Sequence, residues 1–224
     1  MKLLIVSATP FEVAPLLQLL EAKHKQLAPS RYQWHDAEVS ILITGVGMPL
    51  TAYALTKVLV ANKFDLVINA GIAGAFNRNL KIGKVVQVVS ERFGDLGAEA
   101  ADGSFQDIHS MGLIAADQYP FQKGRMLNHL AGDFEFLPKA HGLSVNRVHG
   151  HTKSIEQALH FGADVESMEG AAVFYTCLME QVPFLEIRSI SNYVEPRNKD
   201  NWNIPLAITN LNEVLVQIVE TLSS

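Results

Sequence analysis

Short runs of mainly apolar residues recur along the chain, and they restrict its fold more than any other feature of the sequence. The runs lie at 3–6, 65–69, 85–89 and 184–190. Runs of this length are typical of strands that are buried on both faces of a sheet. Stretches with helical periodicity lie at 12–23 and 50–61, between the first two runs, and from Pro205 onwards, after the last run. The alternation of strands and helices predicts an α/β fold in three layers, an α/β/α sandwich.

Composition limits the class of protein and the kind of partner. The 224 residues are 48% hydrophobic and 18% charged, which is enough for one domain with a full core, and we predict a single domain over 1–224. The net charge of −5, without a cluster of Lys and Arg, argues against a nucleic-acid surface. Cys177 is the single cysteine and cannot form an internal disulfide, and no run is long enough to span a membrane. We therefore expect a soluble, cytoplasmic protein in which Cys177 packs in the core.

One segment combines an extended start with a helical continuation. Residues 165–167 are extended, and the small and apolar residues from Ala171 onwards favour a buried helix. Glu169 falls at the transition, where the helix dipole and unpaired backbone N–H groups favour a carboxylate. A charged side chain between Met168 and a Gly-Ala-Ala run is therefore a candidate site residue. A carboxylate that only caps the helix is the alternative.

Two further segments place polar or small residues after a strand. Glu12 follows the first apolar run, in the region where ligands bind in open α/β sheets, although a solvated carboxylate at a helix start is the alternative. Residues 70–75 form a Gly- and Ala-rich stretch after the run at 65–69, and such a turn lets a ligand approach backbone N–H groups closely. A tight structural turn is the alternative there.

Histidines and acidic residues do not combine into a predicted metal site. The segment 94–121 is rich in Gly and Asp, and we interpret it as a long surface excursion, either a lid or an oligomer contact. Its solvated polar residues are Asp102, Asp107 and His109. His149 and His151 lie on one side of a predicted strand end, but no carboxylate partner is evident, so we reject a zinc site. We predict no metal and no cofactor.

Four segments resemble motifs of the purine nucleoside phosphorylase and nucleosidase superfamily, in the same order along the chain. They are 7–13, 69–74, 168–171 and 187–192. The resemblance spans nearly the whole chain, and it implies the fold of that superfamily, with a central mixed β-sheet, and a purine nucleoside as substrate. Within the superfamily, the segments 166–172 and 191–197 resemble the futalosine hydrolases, which remove hypoxanthine from futalosine in menaquinone biosynthesis.

The resemblance also implies roles for individual residues in the hydrolysis of a ribosyl N-glycosidic bond. Glu12 would activate the attacking water, Glu169 would bind the ribose hydroxyls and Asn192 would contact the base. The further residues expected at the substrate site are Met168, Ala73, Gly74, Asn146, Val148 and Arg197. Among these, Arg197 is the candidate cation for the benzoate carboxylate of futalosine. At Ile72 the chain departs from the nucleosidases, which carry Ser there.

The resemblance implies that the side chain at position 192 discriminates between purine bases. In adenine-specific relatives the matching residue is an Asp, which can protonate N7 and accept a hydrogen bond from the 6-amino group. Asn192 has an amide donor and acceptor but no acidic proton, so it can pair with a 6-oxopurine through O6 or N7. The resemblance and this chemistry together predict hypoxanthine or guanine as the leaving base. An Asn that only closes a turn after the strand is the alternative.

Two other functions stay open. Phosphorolysis of inosine-like nucleosides would need an arginine-lined anion site, whereas the residues near the first strand are Thr9 and Glu12, and a carboxylate repels phosphate. A non-catalytic nucleoside-binding module on the same fold would not need Glu12. We predict hydrolysis, by a homodimer or larger homo-oligomer as the resemblance implies.

Overall fold

The computed structural model describes residues 1–129, 134 and 136–223. In this part of the chain the helices are Ala14–Lys23 (α1), Met48–Ala61 (α2), Thr152–Leu159 (α3), Gly170–Met179 (α4) and Ile204–Ser223 (α5). The strands are Lys2–Ser7 (β1), Lys25–Ala28 (β2), Arg31–Trp34 (β3), Ala37–Ile43 (β4), Leu66–Ala75 (β5), Val85–Glu91 (β6), Gly97–Glu99 (β7), Phe105–Asp107 (β8), Phe121–Gln122 (β9), Arg125–Leu127 (β10), Lys139–Ser144 (β11), Val165–Ser167 (β12) and Phe184–Tyr193 (β13). None of these helices has both the length and the apolar character that crossing a membrane requires.

Most strands of the described residues join one mixed sheet, in the order β2-β3-β4-β1-β5-β12-β11-β6-β10-β9. β13 pairs with both β5 and β6, parallel to the first and antiparallel to the second. The middle of the sheet is therefore a closed ring of paired strands, which runs through β5, β12, β11, β6 and β13. Because β1, β5 and β13 run parallel, their carboxyl ends meet at one edge.

The alternation of side chains along the strands separates two cores. On β1, Leu3 and Ile5 pack with α1 and α5, whereas Leu4 and Val6 pack with α2 and α4. A run that is apolar at every position is thus buried on both faces. The predicted three-layer α/β/α sandwich with a central mixed sheet is confirmed, and Cys177 is buried as expected. A single domain over 1–224 stays a prediction.

The Gly- and Ala-rich segment that follows Asn69 belongs to a strand and not to a turn. β5 continues to Ala75, and it pairs with β13 along most of its length and with β12 at its end. The prediction of a turn at 70–75 was wrong because neighbouring strands supply hydrogen-bond partners for this backbone, and small side chains do not prevent the pairing. Their small size instead leaves room for charged groups of β13.

The segment 94–121 contains the hairpin of β7 and β8 in addition to irregular chain. Asp107, at the end of β8, is buried, and its carboxylate pairs with the guanidinium of Arg92. It also accepts a hydrogen bond from the backbone N–H of Ser110 at 2.7 Å. The interpretation of Asp107 as a solvated residue was therefore wrong, since a paired and hydrogen-bonded carboxylate can leave water. Asp102 is exposed, as expected.

Candidate active site

A cavity of about 360 Å³ lies at the edge of the sheet where β1, β5 and β13 end. The three residues predicted to be catalytic, Glu12, Glu169 and Asn192, all line it. The predicted substrate-binding residues that also line it are Met168, Ala73, Gly74, Val148 and Arg197. Asn146 is not brought to this cavity. It follows the end of β11, where its backbone N–H donates to Asp95 at 2.6 Å, and it lines a neighbouring apolar cavity.

Glu12 is held by donors on both oxygens of its carboxylate. Oε2 accepts hydrogen bonds from the Ser7 hydroxyl at 3.1 Å and from the backbone N–H and hydroxyl of Thr9 at 3.1 and 3.2 Å. Oε1 accepts one from the backbone N–H of Ile72 at 3.1 Å. Because residue 72 makes this contact through its backbone, a side-chain hydroxyl there is not needed for it. Glu12 lies in the turn before α1 and is only 8% exposed, so it is not the solvated carboxylate of the alternative interpretation.

Beneath the cavity lies a buried ion pair that sequence reasoning missed. Arg188 Nε donates to Glu186 Oε1 at 2.8 Å, and the two side chains are 1% and 0% exposed. They lie two positions apart on β13 and therefore point to the same face of the sheet. Burial opposes the charge of the guanidinium, but nearby carboxylates, Glu186 first and then Glu169 and Glu12, outweigh it and raise the pKa of Arg188. The available signal was a pair of opposite charges inside an otherwise apolar strand, since charges are buried only when paired.

Two glycines make room for this layer of charges. A β-carbon at Gly71 would overlap the guanidinium of Arg188 and lie 2.9 Å from Glu12 Oε1. A β-carbon at Gly170 would lie 2.6 Å from Glu186 Oε1. Any larger residue at either position would displace a buried charged group, so the glycines are needed for close approach and not for a turn.

Glu169 is the N-cap residue of α4, but its side chain makes no capping hydrogen bond with that helix. The alternative of a carboxylate that only caps the helix is thus wrong. Oε1 instead accepts a hydrogen bond from the backbone N–H of Gly47 at 2.9 Å. Burial raises the pKa of Glu169, and the carboxylate of Glu12 adds to this effect, whereas the charge of Arg188 opposes it. Among the described residues Oε2 has no hydrogen-bond partner, and it is available to a ligand.

The N-terminus of α4 is connected to a further buried carboxyl group, Glu91. Ser144 Oγ donates to Glu91 Oε2 at 2.9 Å and accepts a hydrogen bond from the backbone N–H of Ala171 at 2.7 Å. Burial first, and repulsion by Glu186 second, raise the pKa of Glu91 well above 4.5. The protonated form of Glu91 that this favours limits the negative charge around Arg188.

Asn192 lies within β13, next to its end, so the alternative in which it closes a turn after the strand is wrong. Its Oδ1 accepts a hydrogen bond from Ser191 Oγ at 2.7 Å, and its Nδ2 donates to the carbonyl of Tyr193 at 2.9 Å. The register of β13 against β5 shifts between Ile190 and Asn192. Such irregularities re-aim side chains, and here the amide faces the cavity.

The structure also provides His149 with a carboxylate partner. Its Nδ1 bonds to Glu166 Oε2, and its backbone N–H donates to Glu166 Oε1 at 3.0 Å. β11 ends at Ser144, so His149 is not on a strand end, and the prediction that it lacks a carboxylate partner was wrong. The partner comes from β12, which pairs with β11, and this proximity depends on strand order. Among the described residues, no group of three His, Cys, Asp or Glu side chains is arranged to hold a metal ion.

The arrangement suits a ligand with hydroxyl groups and a polar planar ring. Glu12 and Glu169 present carboxylates, which accept hydrogen bonds from hydroxyls or water, and the amide of Asn192 both donates and accepts. Apolar contacts are offered by Met168 and Ala73. Arg188 lies below the carboxylates and offsets their charge, so that they can remain close together away from solvent.

Comparison with known proteins agrees with this architecture. The profile of the phosphorylase superfamily matches residues 2–133 and 143–220. The chain belongs to the phosphorylase superfamily. This superfamily member is 31% identical over 192 residues to a futalosine hydrolase of Streptomyces coelicolor, with 82% of the chain and 80% of that protein covered. It is also 31% identical over 207 residues to a 5′-methylthioadenosine/S-adenosylhomocysteine nucleosidase of Maridesulfovibrio salexigens, with 87% of each protein covered.

A solved structure of similar fold supports the architecture described above. The crystal structure of a 5′-methylthioadenosine/S-adenosylhomocysteine nucleosidase of Colwellia psychrerythraea 34H in complex with adenine has a TM-score of 0.79, with 98% of this chain and 95% of that chain covered. The identity is 22%. Because the two sequence relatives are equally similar and differ in substrate, relatedness establishes the superfamily and leaves the choice of nucleoside to the residues of the cavity.

Proposed function

We propose that this protein hydrolyses the N-glycosidic bond of a purine nucleoside, and that the nucleoside is futalosine, from which hypoxanthine is released. The observation that carries the proposal is that Glu12, Glu169 and Asn192, far apart in sequence, line one cavity of about 360 Å³. Relatedness is compatible with this choice, since one relative is a futalosine hydrolase, but the argument for futalosine comes from the cavity residues.

The proposed reaction begins with a water molecule that Glu12 orients. As the bond between C1′ and the base breaks, its electron pair leaves with the base and the ribose takes on oxocarbenium character. The water oxygen forms the new bond to C1′ and passes a proton to Glu12, which later releases it to solvent, and the departing base takes up a proton from solvent. The hydrogen bonds from Ser7, Thr9 and Ile72 fix the carboxylate of Glu12 for this role.

Glu169 is assigned to the ribose. Its unpaired Oε2 accepts hydrogen bonds from the 2′- and 3′-hydroxyls, and its negative charge offsets the positive charge that develops on the sugar. The bond from Gly47 N–H to Oε1 holds the carboxylate in place, so the stabilisation needs little rearrangement during the reaction. Met168 packs against the sugar, as proposed from the sequence.

Asn192 is assigned to the base, next to the backbone of Ala73 and Gly74. Its amide can donate to O6 or N7 of a 6-oxopurine, but it has no acidic proton to give to N7 of adenine. This difference favours hypoxanthine over adenine as the leaving group, and hence futalosine over methylthioadenosine. Arg197 is assigned to the carboxylate of futalosine.

Hydrolysis is preferred to phosphorolysis for an electrostatic reason. An arginine does lie beside Glu12, but Arg188 is buried and bound to Glu186, and other carboxylates surround it. A phosphate beside Glu12 would meet the carboxylates of Glu12 and Glu169, and the arginine at that point is already paired with Glu186, so binding phosphate costs more than binding a neutral water.

The decisive assay incubates the protein with futalosine, inosine and methylthioadenosine in phosphate-free buffer and follows hypoxanthine and adenine by chromatography. Release of hypoxanthine from futalosine, much faster than from inosine, is expected. Preferential release of adenine from methylthioadenosine would assign the protein to the other nucleosidase group. Strict dependence on phosphate would indicate a phosphorylase, and binding without any release would indicate a non-catalytic module.

Two further expectations concern the whole molecule. We propose a homodimer or larger homo-oligomer, as the resemblance implies, and a cytoplasmic location. Sedimentation of the purified protein and fractionation of cells that produce it would test these two proposals separately.

A further inference from the structure

A second cavity adjoins the candidate active site. Its volume is about 660 Å³, and it shares Val148 and Arg197 with the smaller cavity. Its other titratable lining residues are Asp95, Glu99, Arg147, His149, His151 and Lys153. A ligand whose nucleoside part occupies the smaller cavity can therefore extend past Val148 into the larger one.

Several charges of the second cavity are already engaged. Asp95 accepts hydrogen bonds from the backbone N–H of Asn146 at 2.6 Å and from its side-chain amide at 3.4 Å. Lys153 Nζ and Glu99 Oε1 would lie 2.7 and 3.8 Å from a β-carbon at Gly103, so the positive charge of one is near the negative charge of the other. Counted together, Asp95, Glu99 and Lys153 carry one net negative charge, which the two arginines of the same lining outweigh.

Two arginines remain uncompensated. Arg147 and Arg197 form no ion pair with any residue that the structure describes. The guanidinium of Arg197 lies over the ring of Trp202, 5.0 Å from the ring centroid, which orients it without neutralising it. The positive charge of the second cavity therefore lies with these two arginines, one of which also borders the smaller cavity.

His149 and Glu166 form the boundary between the two cavities. Glu166 lines the smaller cavity and His149 lines the larger one. The bonds from Nδ1 and from the backbone N–H of His149 to the carboxylate fix the orientation of the ring. Nε2 has no hydrogen-bond partner in the described ranges, and the side chain of His149 is 16% exposed. This nitrogen can accept a hydrogen bond when the ring is neutral and donate one when it is protonated.

We propose that the second cavity binds a carboxylate-bearing extension of the nucleoside substrate. Arg147 and Arg197 bind the carboxylate, and His149 Nε2 hydrogen-bonds to the extension where it passes from one cavity to the other. The inference rests on the proposed function, in which the smaller cavity holds the purine and the ribose. It makes the second cavity the part of the site that distinguishes a nucleoside with an anionic extension from a neutral one of the same size.

The test compares futalosine with its methyl ester, which has the same skeleton without the negative charge. Binding is measured by calorimetry on the Glu12→Gln variant, so that neither ligand is consumed. We expect futalosine to bind about tenfold more tightly than the ester. Adding Arg147→Gln and Arg197→Gln removes this preference and leaves binding of the ester unchanged. Arg31→Gln, which removes an exposed arginine of β3, is the matched control and keeps the preference.

A further variant is needed to distinguish a contact of His149 with the ligand from a purely structural role of its bond to Glu166. In His149→Asn the side-chain amide can still donate to Glu166 but has no group in the position of Nε2. We expect this variant to bind futalosine and its ester several-fold more weakly, by equal factors, and to bind inosine as before, because inosine has no extension. Weaker binding of inosine would indicate a structural role instead and would overturn the assignment of His149.

Equal affinity for futalosine and its ester, a preference that survives loss of both arginines, or no binding of either ligand would overturn the proposal. Failure of the proposed function has a different signature. Unmodified protein that releases no hypoxanthine from futalosine contradicts the hydrolase assignment, while the binding comparison still decides whether the second cavity recognises a carboxylate.

Discussion

Glu186 and Arg188 form an ion pair inside the central sheet, with Glu186 Oε1 2.8 Å from Arg188 Nε. Neither side chain lines the cavity, yet the pair determines its electrostatics, because the guanidinium lies against Gly71 and faces the carboxylate of Glu12. β13 therefore connects the interior of the protein, where the ion pair is buried, with the candidate active site. A change in the buried pair is expected to affect both stability and activity.

Arg188→Met should destabilise the protein by about 3–5 kcal/mol, because it leaves the buried carboxylate of Glu186 unpaired. Adding Glu186→Gln to this variant removes the unpaired charge and should restore part of the lost stability. The free energy of unfolding from urea titrations measures both effects. Arg31→Met, at a partly exposed ion pair, is the control and should change stability by less than about 1 kcal/mol. If the double variant were as unstable as Arg188→Met, the pairing argument would fail.

Glu12→Gln should lower kcat by about 10²- to 10⁴-fold, since the amide cannot take a proton from water. Futalosine should still bind, because the rest of the cavity is unchanged. Single-turnover kinetics and calorimetry on the same preparation separate the two effects. Glu21→Gln, at an exposed position of α1, serves as the control and should leave kcat unchanged. Turnover by Glu12→Gln at the rate of the unmodified protein would remove Glu12 from the role of base.

Glu169 should impose an acid limb on the pH dependence of kcat/KM. Its carboxylate must be ionised to accept hydrogen bonds from two hydroxyls, and burial raises its pKa above the ordinary 4.5. Activity should therefore fall as the pH decreases, with an apparent pKa above 4.5. Glu169→Gln should be much less active, and its residual activity should lack this limb. An unchanged limb in the variant would assign it to another group.

Asn192→Asp should shift the preference for the leaving base. The carboxyl group can give a proton to N7 of adenine, and the amide donor that favours a 6-oxopurine is lost. The ratio of hypoxanthine released from futalosine to adenine released from methylthioadenosine should fall by about tenfold. Asn192→Ala removes the amide without adding an acid, and it should lower hypoxanthine release without raising adenine release. An unchanged ratio in Asn192→Asp would contradict the assignment of this residue to the base.

Glu91→Gln should alter the pH dependence of stability. Burial raises the pKa of Glu91 in the folded state, so folded protein keeps a proton that the unfolded chain releases. The stability contributed by protonated Glu91 is complete below the unfolded pKa and is lost as the pH rises towards the folded pKa. Glutamine stays neutral throughout, so the stability of the variant relative to the unmodified protein should increase as the pH rises above 4.5. Urea titrations at several pH values measure this, and a constant difference would argue against a raised pKa.

Local patterns in the sequence were sufficient to predict the three layers of the fold and some residues of the candidate active site. Apolar runs such as 3–6 encode burial on both faces by themselves, since neighbouring side chains of a strand point in opposite directions. Glu169 at the start of a predicted helix and Glu12 after the first strand were candidates from their immediate neighbours, and only the resemblance to the superfamily gave them roles at a site. The alternatives for these residues stayed open because a local pattern does not say which groups face a side chain.

The sequence by itself determined the alternation of the main strands and helices and the burial of apolar runs such as 3–6 on both faces. Only the tertiary structure decided that Arg188 meets Glu12 beneath the cavity, that Glu166 holds His149 at its wall, and that Asn146 lies elsewhere. The physical reason is that burial and propensity are properties of neighbouring residues. The partners of a buried charge come instead from strands that pairing brings together, so their identity is settled only when the sheet forms.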